Sequence, residues 1–166
     1  LFSILSLSVS AQKPTKAEKA AQLEQEFQQT RQLIESNHFQ FELNRVYPQD
    51  GQDLSRFNPR GKFVITDSVA KGTLPFFGRA YSLPYGEGGG IEFDGVMKDQ
   101  SLKIEHKKKR KILIYRFSIT AKNDTYQISM EISGGGNCSV NLNSNNRAQI
   151  SYSGTVSPVK DETGKS

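Results

Sequence analysis

Cysteine, histidine and tryptophan are nearly missing from this chain: its 166 residues hold one Cys, two His and no Trp. Cys138 alone cannot close a disulfide within the chain, so the core must hold without covalent staples. A zinc site of the usual kind needs three or four ligands. His38 and His106 lie on different segments and Cys138 stands apart, so no metal is expected. Glu92, Asp94 and Asp99 lack the alternating spacing of a calcium loop. No run approaches the ~20 apolar residues of a membrane-spanning helix, and the chain is not expected to span a membrane. There is no Gly-x-Ser-x-Gly elbow. Cys138 shares a strand face with Val140 and Leu142 and reads as a small core hydrophobe, not as a thiolate. The carboxylates Glu42, Glu92, Asp94 and Glu131 fall on polar strand faces, and no two of them stand out as an acid–base pair. No catalytic constellation is visible, so the chain reads as a non-enzyme without a cofactor.

What is present starts at the front. Residues Leu1 to Ala11 carry no charge, are rich in Leu, Ile, Phe and Val, and end in the small residues Val9-Ser10-Ala11. This reads as the remnant of a secretory signal peptide, cut before Gln12, with its start Met and basic region missing. No Cys sits at the cut, so a lipoprotein anchor is not expected. The mature protein is expected in the periplasm or outside the cell.

The remaining length suits one domain, and a mean hydropathy of −0.58 suits a modest core. Residues 12–37 read as an N-terminal helix, 38–157 as a single β domain and 158–166 as a flexible tail. Thr15 and Glu18 form a capping box. Ala20, Leu23, Phe27 and Ile34, with Leu33, recur at helical spacing, and Asn37 is a plausible stop. From His38 the period changes to two. Phe39, Phe41 and Leu43 alternate with polar residues. So do Leu113, Tyr115, Phe117 and Ile119, although Ile112 and Ile114 fall on the other side. Tyr126 to Ile132, Cys138 to Leu142 and Ile150 to Val156 continue the pattern. Short turns such as Gly134-Gly135-Gly136-Asn137 favour an antiparallel meander. Residues 47–61 read as a long surface loop. The expected fold is all-β, an antiparallel flattened barrel or sandwich with one N-terminal α-helix.

Lys and Arg outnumber Asp and Glu by 22 to 17. Five of these cations, Lys107, Lys108, Lys109, Arg110 and Lys111, form one run at an expected hairpin tip. A solvated turn explains such a run; contact with a polyanion or with lipid headgroups is the functional reading. Nucleic acid is not expected, because no aromatics are interleaved with the charge.

The stretch from Gly72 to Gly95 holds seven of the fourteen Gly residues and five aromatics. Glycine permits close backbone approach and aromatics supply flat contact area. It is not a phosphate loop, since it lacks a Gly-Lys-Ser/Thr ending. A ligand site here would involve Arg79, Tyr81 and Tyr85; the bland reading is a bulge and turn framing a packed aromatic cluster.

The run from Leu74 to Tyr85 is one of three elements that together carry a resemblance. The others are the Gly-rich turn before Ile91-Glu92-Phe93, and the ending from Asn145-Asn146-Arg147 through Tyr152-Ser153-Gly154. Over roughly residues 33–156 the chain resembles a secreted Bacteroidetes family known as domain of unknown function 4251. That resemblance implies an exported protein of about this size, mostly β after a signal peptide, and it brings no catalytic residues. The function expected is an exported, non-enzymatic binding domain of the bacterial envelope, with a saccharide or an anionic envelope component as its partner. The alternatives are a structural or assembly protein of the envelope and, more remotely, an unrecognised hydrolase.

Overall fold

The computed structural model describes residues 13–52, 54–81, 89–122 and 124–160. One helix, α1 (Lys16–Glu35), precedes eight strands: β1 (His38–Pro48), β2 (Lys62–Thr66), β3 (Val69–Leu74), β4 (Ile91–Lys107), β5 (Arg110–Thr120), β6 (Thr125–Ser133), β7 (Asn137–Ser144) and β8 (Ile150–Pro158). Consecutive strands pair antiparallel and β8 returns to β1, so the sheet closes into a barrel. Of the two architectures the alternation allowed, the barrel is the one adopted. Closure leaves no sheet edge at β1 or β8 to template association.

Period two sorts the barrel residues. Phe39, Phe41, Phe63, Ile65, Leu113, Ile119, Ile128, Met130, Val140 and Tyr152 are buried inside. An eight-stranded barrel is just wide enough to be filled by side chains. Here rings fill it. Phe41 stacks on Phe63 at 5.1 Å, Phe63 meets Phe93 at 5.7 Å, and Phe93 meets Tyr126 at 6.3 Å. Phe39, Tyr115 and Phe117 form a second chain, with centroids 6.1 and 5.6 Å apart. The outward positions are mostly polar, the reverse of a barrel that faces lipid. Two outward apolar residues are nonetheless covered. Ile112 and Ile114 are buried; their register partners include Lys103, Glu105 and Glu131, whose aliphatic stems are long enough to cover them.

The helix closes one end. Thr15 and Glu18 make the capping box, and Asn37, at φ 49°, turns the chain into β1. The apolar stripe differs from the one expected. Ala20 is exposed and Leu23 is 64% exposed, while Phe27, Thr30 and Ile34 are buried. Only the second half of the helix meets the barrel, so apolar residues in its first half have nothing to cover. Lys111 ties this end down, pairing with Glu24 at 2.8 Å and lying 5.5 Å from the Phe27 ring centre. The Lys111 hydrogen bond holds the Glu24 carboxyl below its usual range.

Two bulges break the registers, at Leu43/Arg45 in β1 and at Lys98/Ser101 in β4. The second bends β4. Its first half pairs with β3 and its second half continues with β5 as a hairpin arm toward the helix end. The segments joining β1 to β2, β3 to β4, β5 to β6 and β7 to β8 gather at the opposite end, the loop end.

Candidate functional site

The outer face of β1 to β4 carries an open groove of about 1370 Å³. Its residues are the outward partners of the core positions just described. Val64 and Val69 give it an apolar floor. Asn44, Arg60 and Lys62 form one bank; Glu92, Asp94 and Lys122 form the other. Gly72 is obligatory here: a Cβ would overlap the Cα and Cβ of Phe63 and the Lys62 carbonyl.

The charges of the groove are unevenly matched. Lys71 bonds Asp94 at 2.8 Å, which raises the Lys71 pKa. Glu42 accepts from Gln40 at 3.0 Å and from Lys160 at 3.2 Å. Arg60, Lys62 and Lys122 have no acidic partner among the described residues. The groove therefore offers three uncommitted cations against the one uncommitted carboxylate of Glu92. Sequence reading missed it entirely. The signal was weak: in Val69–Leu74 only Ala70 and Leu74 are buried apolar positions, and the inward position between them is Gly72.

The residues singled out in the Gly-rich segment sit at the loop end. Ala80 bridges Arg147 in a two-stranded contact, with Tyr81 N–H donating to Asn146 O at 2.7 Å and Ala148 N–H to Arg79 O at 2.9 Å. Paired residues share a face and their neighbours take the other, so Arg79 and Tyr81 share the face away from Arg147. Arg79 is exposed and Tyr81 is 66% exposed. Tyr85 lies outside the described residues. Phe76 packs against the core while Phe77 is exposed, as two adjacent residues on an extended segment must divide.

The guanidinium set among aromatics is Arg147, not Arg79. It is buried, lies 5.1 Å from the Phe76 ring centre and donates Nη1 to Gly89 O at 3.4 Å. Tyr152 donates its hydroxyl to Pro75 O at 2.9 Å, and burial pushes its pKa up. Together Arg147 and Tyr152 hold Pro75, Phe76 and Gly89 to the barrel. The trace of this in the sequence was Asn145-Asn146-Arg147, noticed as a family feature and not as a partner of Phe76.

The basic run forms a hairpin tip, with Lys107 opposite Arg110. Lys107 pairs with Glu131 at 2.7 Å and Lys111 with Glu24. Lys108, Lys109 and Arg110 are left exposed, with no acidic partner among the described residues. Cys138 is buried, and that burial raises its thiol pKa, so it is not a nucleophile at neutral pH. Among the described residues no three His, Cys, Asp or Glu side chains gather as a metal site would need. No helix among them is long and apolar enough to cross a membrane.

Comparison with curated proteins finds no match. Among solved structures, the barrel is similar to a crystal structure, at 1.95 Å resolution, of a DUF4251 family protein from Bacteroides eggerthii DSM 20697. The two share 22% identity at a TM-score of 0.58, over 83% of this chain and 91% of that one. That similarity establishes a shared fold. The profile of the family described as "Domain of unknown function (DUF4251)" matches residues 21–156, which takes in most of α1 and nearly the whole barrel. The chain belongs to the DUF4251 family.

Proposed function

We propose that this protein is an exported, non-enzymatic binding domain of the bacterial envelope, and that its ligand seats in the outer groove of β1 to β4. The observation that carries this reading is the groove beside a filled barrel. Aromatic rings occupy the interior, so a ligand must bind on the outside. The uncommitted cations Arg60, Lys62 and Lys122 favour an anionic ligand, and an acidic saccharide of the envelope fits that chemistry. The apolar leader at Leu1 to Ala11 supports export. Arg79 and Tyr81 stand at the loop end as further contacts for a ligand longer than the groove.

The test is calorimetric titration of acidic and neutral oligosaccharides into native protein and into Lys62→Glu and Lys122→Glu variants. The reading expects an acidic oligosaccharide to bind, and each variant to lose about tenfold in affinity with its melting temperature unchanged. Absence of binding across the panel, or binding indifferent to both substitutions, counts against it.

A further inference from the structure

The aromatic side chains of this protein are sharply segregated. Among the described residues, the exposed aromatics are Phe57 at 60%, Tyr81 at 66% and Phe77 at 37%. All three lie at the loop end. Phe57 is in the segment joining β1 to β2, and Phe77 and Tyr81 are in the segment joining β3 to β4. These segments are neighbours in space: a Cβ on Gly61 would lie 2.8 Å from Pro75 Cδ. The other exposed large apolar residues, Leu23, Val69, Val96 and Ile104, are aliphatic and lie on the helix or the barrel wall.

The cations follow the aromatics. Arg56 and Arg60 flank Phe57, Arg79 lies between Phe77 and Tyr81, and all three are exposed. Arg56 lies 4.9 Å from the Phe57 ring centre. None of the three pairs with a described carboxylate. Of the described acids at this end, Glu92 lies in the groove and two others make local hydrogen bonds. Asp50 accepts from Gln52 N–H, and Asp124 accepts from Ser144 Oγ and Thr125 N–H. The opposite end also has unpaired cations but differs in its aromatics. Its Lys108, Lys109 and Arg110 tip has no exposed aromatic beside it, and two of its basic neighbours are committed to Glu24 and Glu131.

We infer that the loop end is a docking surface for an anionic phospholipid bilayer. Flat amphipathic rings on loop tips settle at headgroup depth, and guanidiniums beside them meet lipid phosphates bidentately. The barrel then stands on the membrane through its loops without crossing it. The surface adjoins the groove and shares Arg60 with its bank, but the inference does not rest on what the groove binds.

The experiment is sedimentation of the protein with phosphatidylglycerol-rich vesicles and with pure phosphatidylcholine vesicles. Binding is expected to the anionic vesicles and to weaken with added salt. Arg56→Gln and Arg79→Gln should each lower partitioning about fivefold, the equivalent of one juxtamembrane charge. The double variant Phe57→Ser with Tyr81→Ser should lower it at least as much. A triple variant of the tip, Lys108→Gln, Lys109→Gln and Arg110→Gln, should bind as native protein does. Circular dichroism melts confirm that each variant is folded; these side chains are exposed, so melting should not move. The inference fails if native protein ignores anionic vesicles. It also fails if the tip variant loses binding while the loop-end variants keep it, which would place membrane contact at the helix end. Equal binding to both lipids would show that the guanidiniums contribute nothing.

Discussion

The two halves of the barrel bury the same kind of residue and differ in regularity. From β5 to β8 the three ladders run without a register shift, and Ile, Leu, Val, Tyr and Met alternate inward on strands of eight to eleven residues. From β1 to β4, two strands carry bulges, β2 and β3 span only five and six residues, and a glycine stands at an inward position of β3. The regular half supplies most of the cooperative core. The irregular half carries the groove on its outer face. Binding surface arises where the alternation is interrupted, because a flat, unbroken ladder presents no concavity.

That contrast can be pushed hardest at the glycines. Gly72, in the irregular half, and Gly154, on β8 where it pairs with β1, both sit where a Cβ would overlap neighbouring backbone: the Lys62 carbonyl for one, the Glu42 carbonyl for the other. Gly72→Ala and Gly154→Ala are expected to cost ~3 kcal/mol or more, since the obstacle is backbone and cannot swing away. Ile128→Val, in the regular half, should cost only ~1 kcal/mol. Urea denaturation of the three variants checks the order. Equal costs at Gly72 and Ile128 would show that the irregular half is no more tightly constrained than the regular one, and a small cost at Gly154 would show that the seam between β8 and β1 can give way.

Alkaline titration sharpens the same comparison, because the buried ionisable groups with raised pKa values belong to the regular half. Burial raises Cys138 and Tyr152, and pushes Tyr115 up to about 12. Each prefers its neutral form when folded. Their contribution is therefore complete below the unfolded values and is lost as pH rises past them. The melting temperature should hold to about pH 9, where an exposed thiol ionises, and fall further above about pH 10, where exposed tyrosines follow. Cys138→Ala should remove the earlier onset and keep the later one. A melting temperature that stays level to pH 11 would contradict the burial assigned to these groups.

The smallest effect expected is at the hairpin tip. Lys108 has φ 58°, a region that costs an L-residue with a Cβ and suits glycine. Lys108→Gly should stabilise by about 0.5 kcal/mol, with no change in either half of the barrel, as read by the same denaturation curves.

The difference between the halves also decided how much of the structure was legible in the sequence. Leu113 to Ile119, Tyr126 to Ile132 and Cys138 to Leu142 announce themselves, because every second residue is large and apolar. The capping box at Thr15 and Glu18 was equally plain, since its chemistry is local. β3 was not. Its inward positions are Ala70, Gly72 and Leu74, and a glycine there erases the period. Leu23 misled for a different reason: helical spacing marks a face, but not how far along the helix that face is covered. The groove could not be read at all, since its banks come from residues as far apart as Asn44 and Lys122, joined only by strand pairing. Arg79 and Arg147 were equally basic in the sequence, and tertiary pairing alone sets Arg147 on Phe76 and leaves Arg79 in solvent.

The most direct test of the central claim, that ligand binds outside a filled barrel on its irregular half, is a backbone-amide NMR titration with an oligogalacturonate. The account predicts saturable shifts at Val64, Lys71, Thr73 and Glu92, with the inward residues Ile128, Met130 and Val140 unmoved. Shifts concentrated at those three core positions, or none anywhere on the barrel, would contradict it.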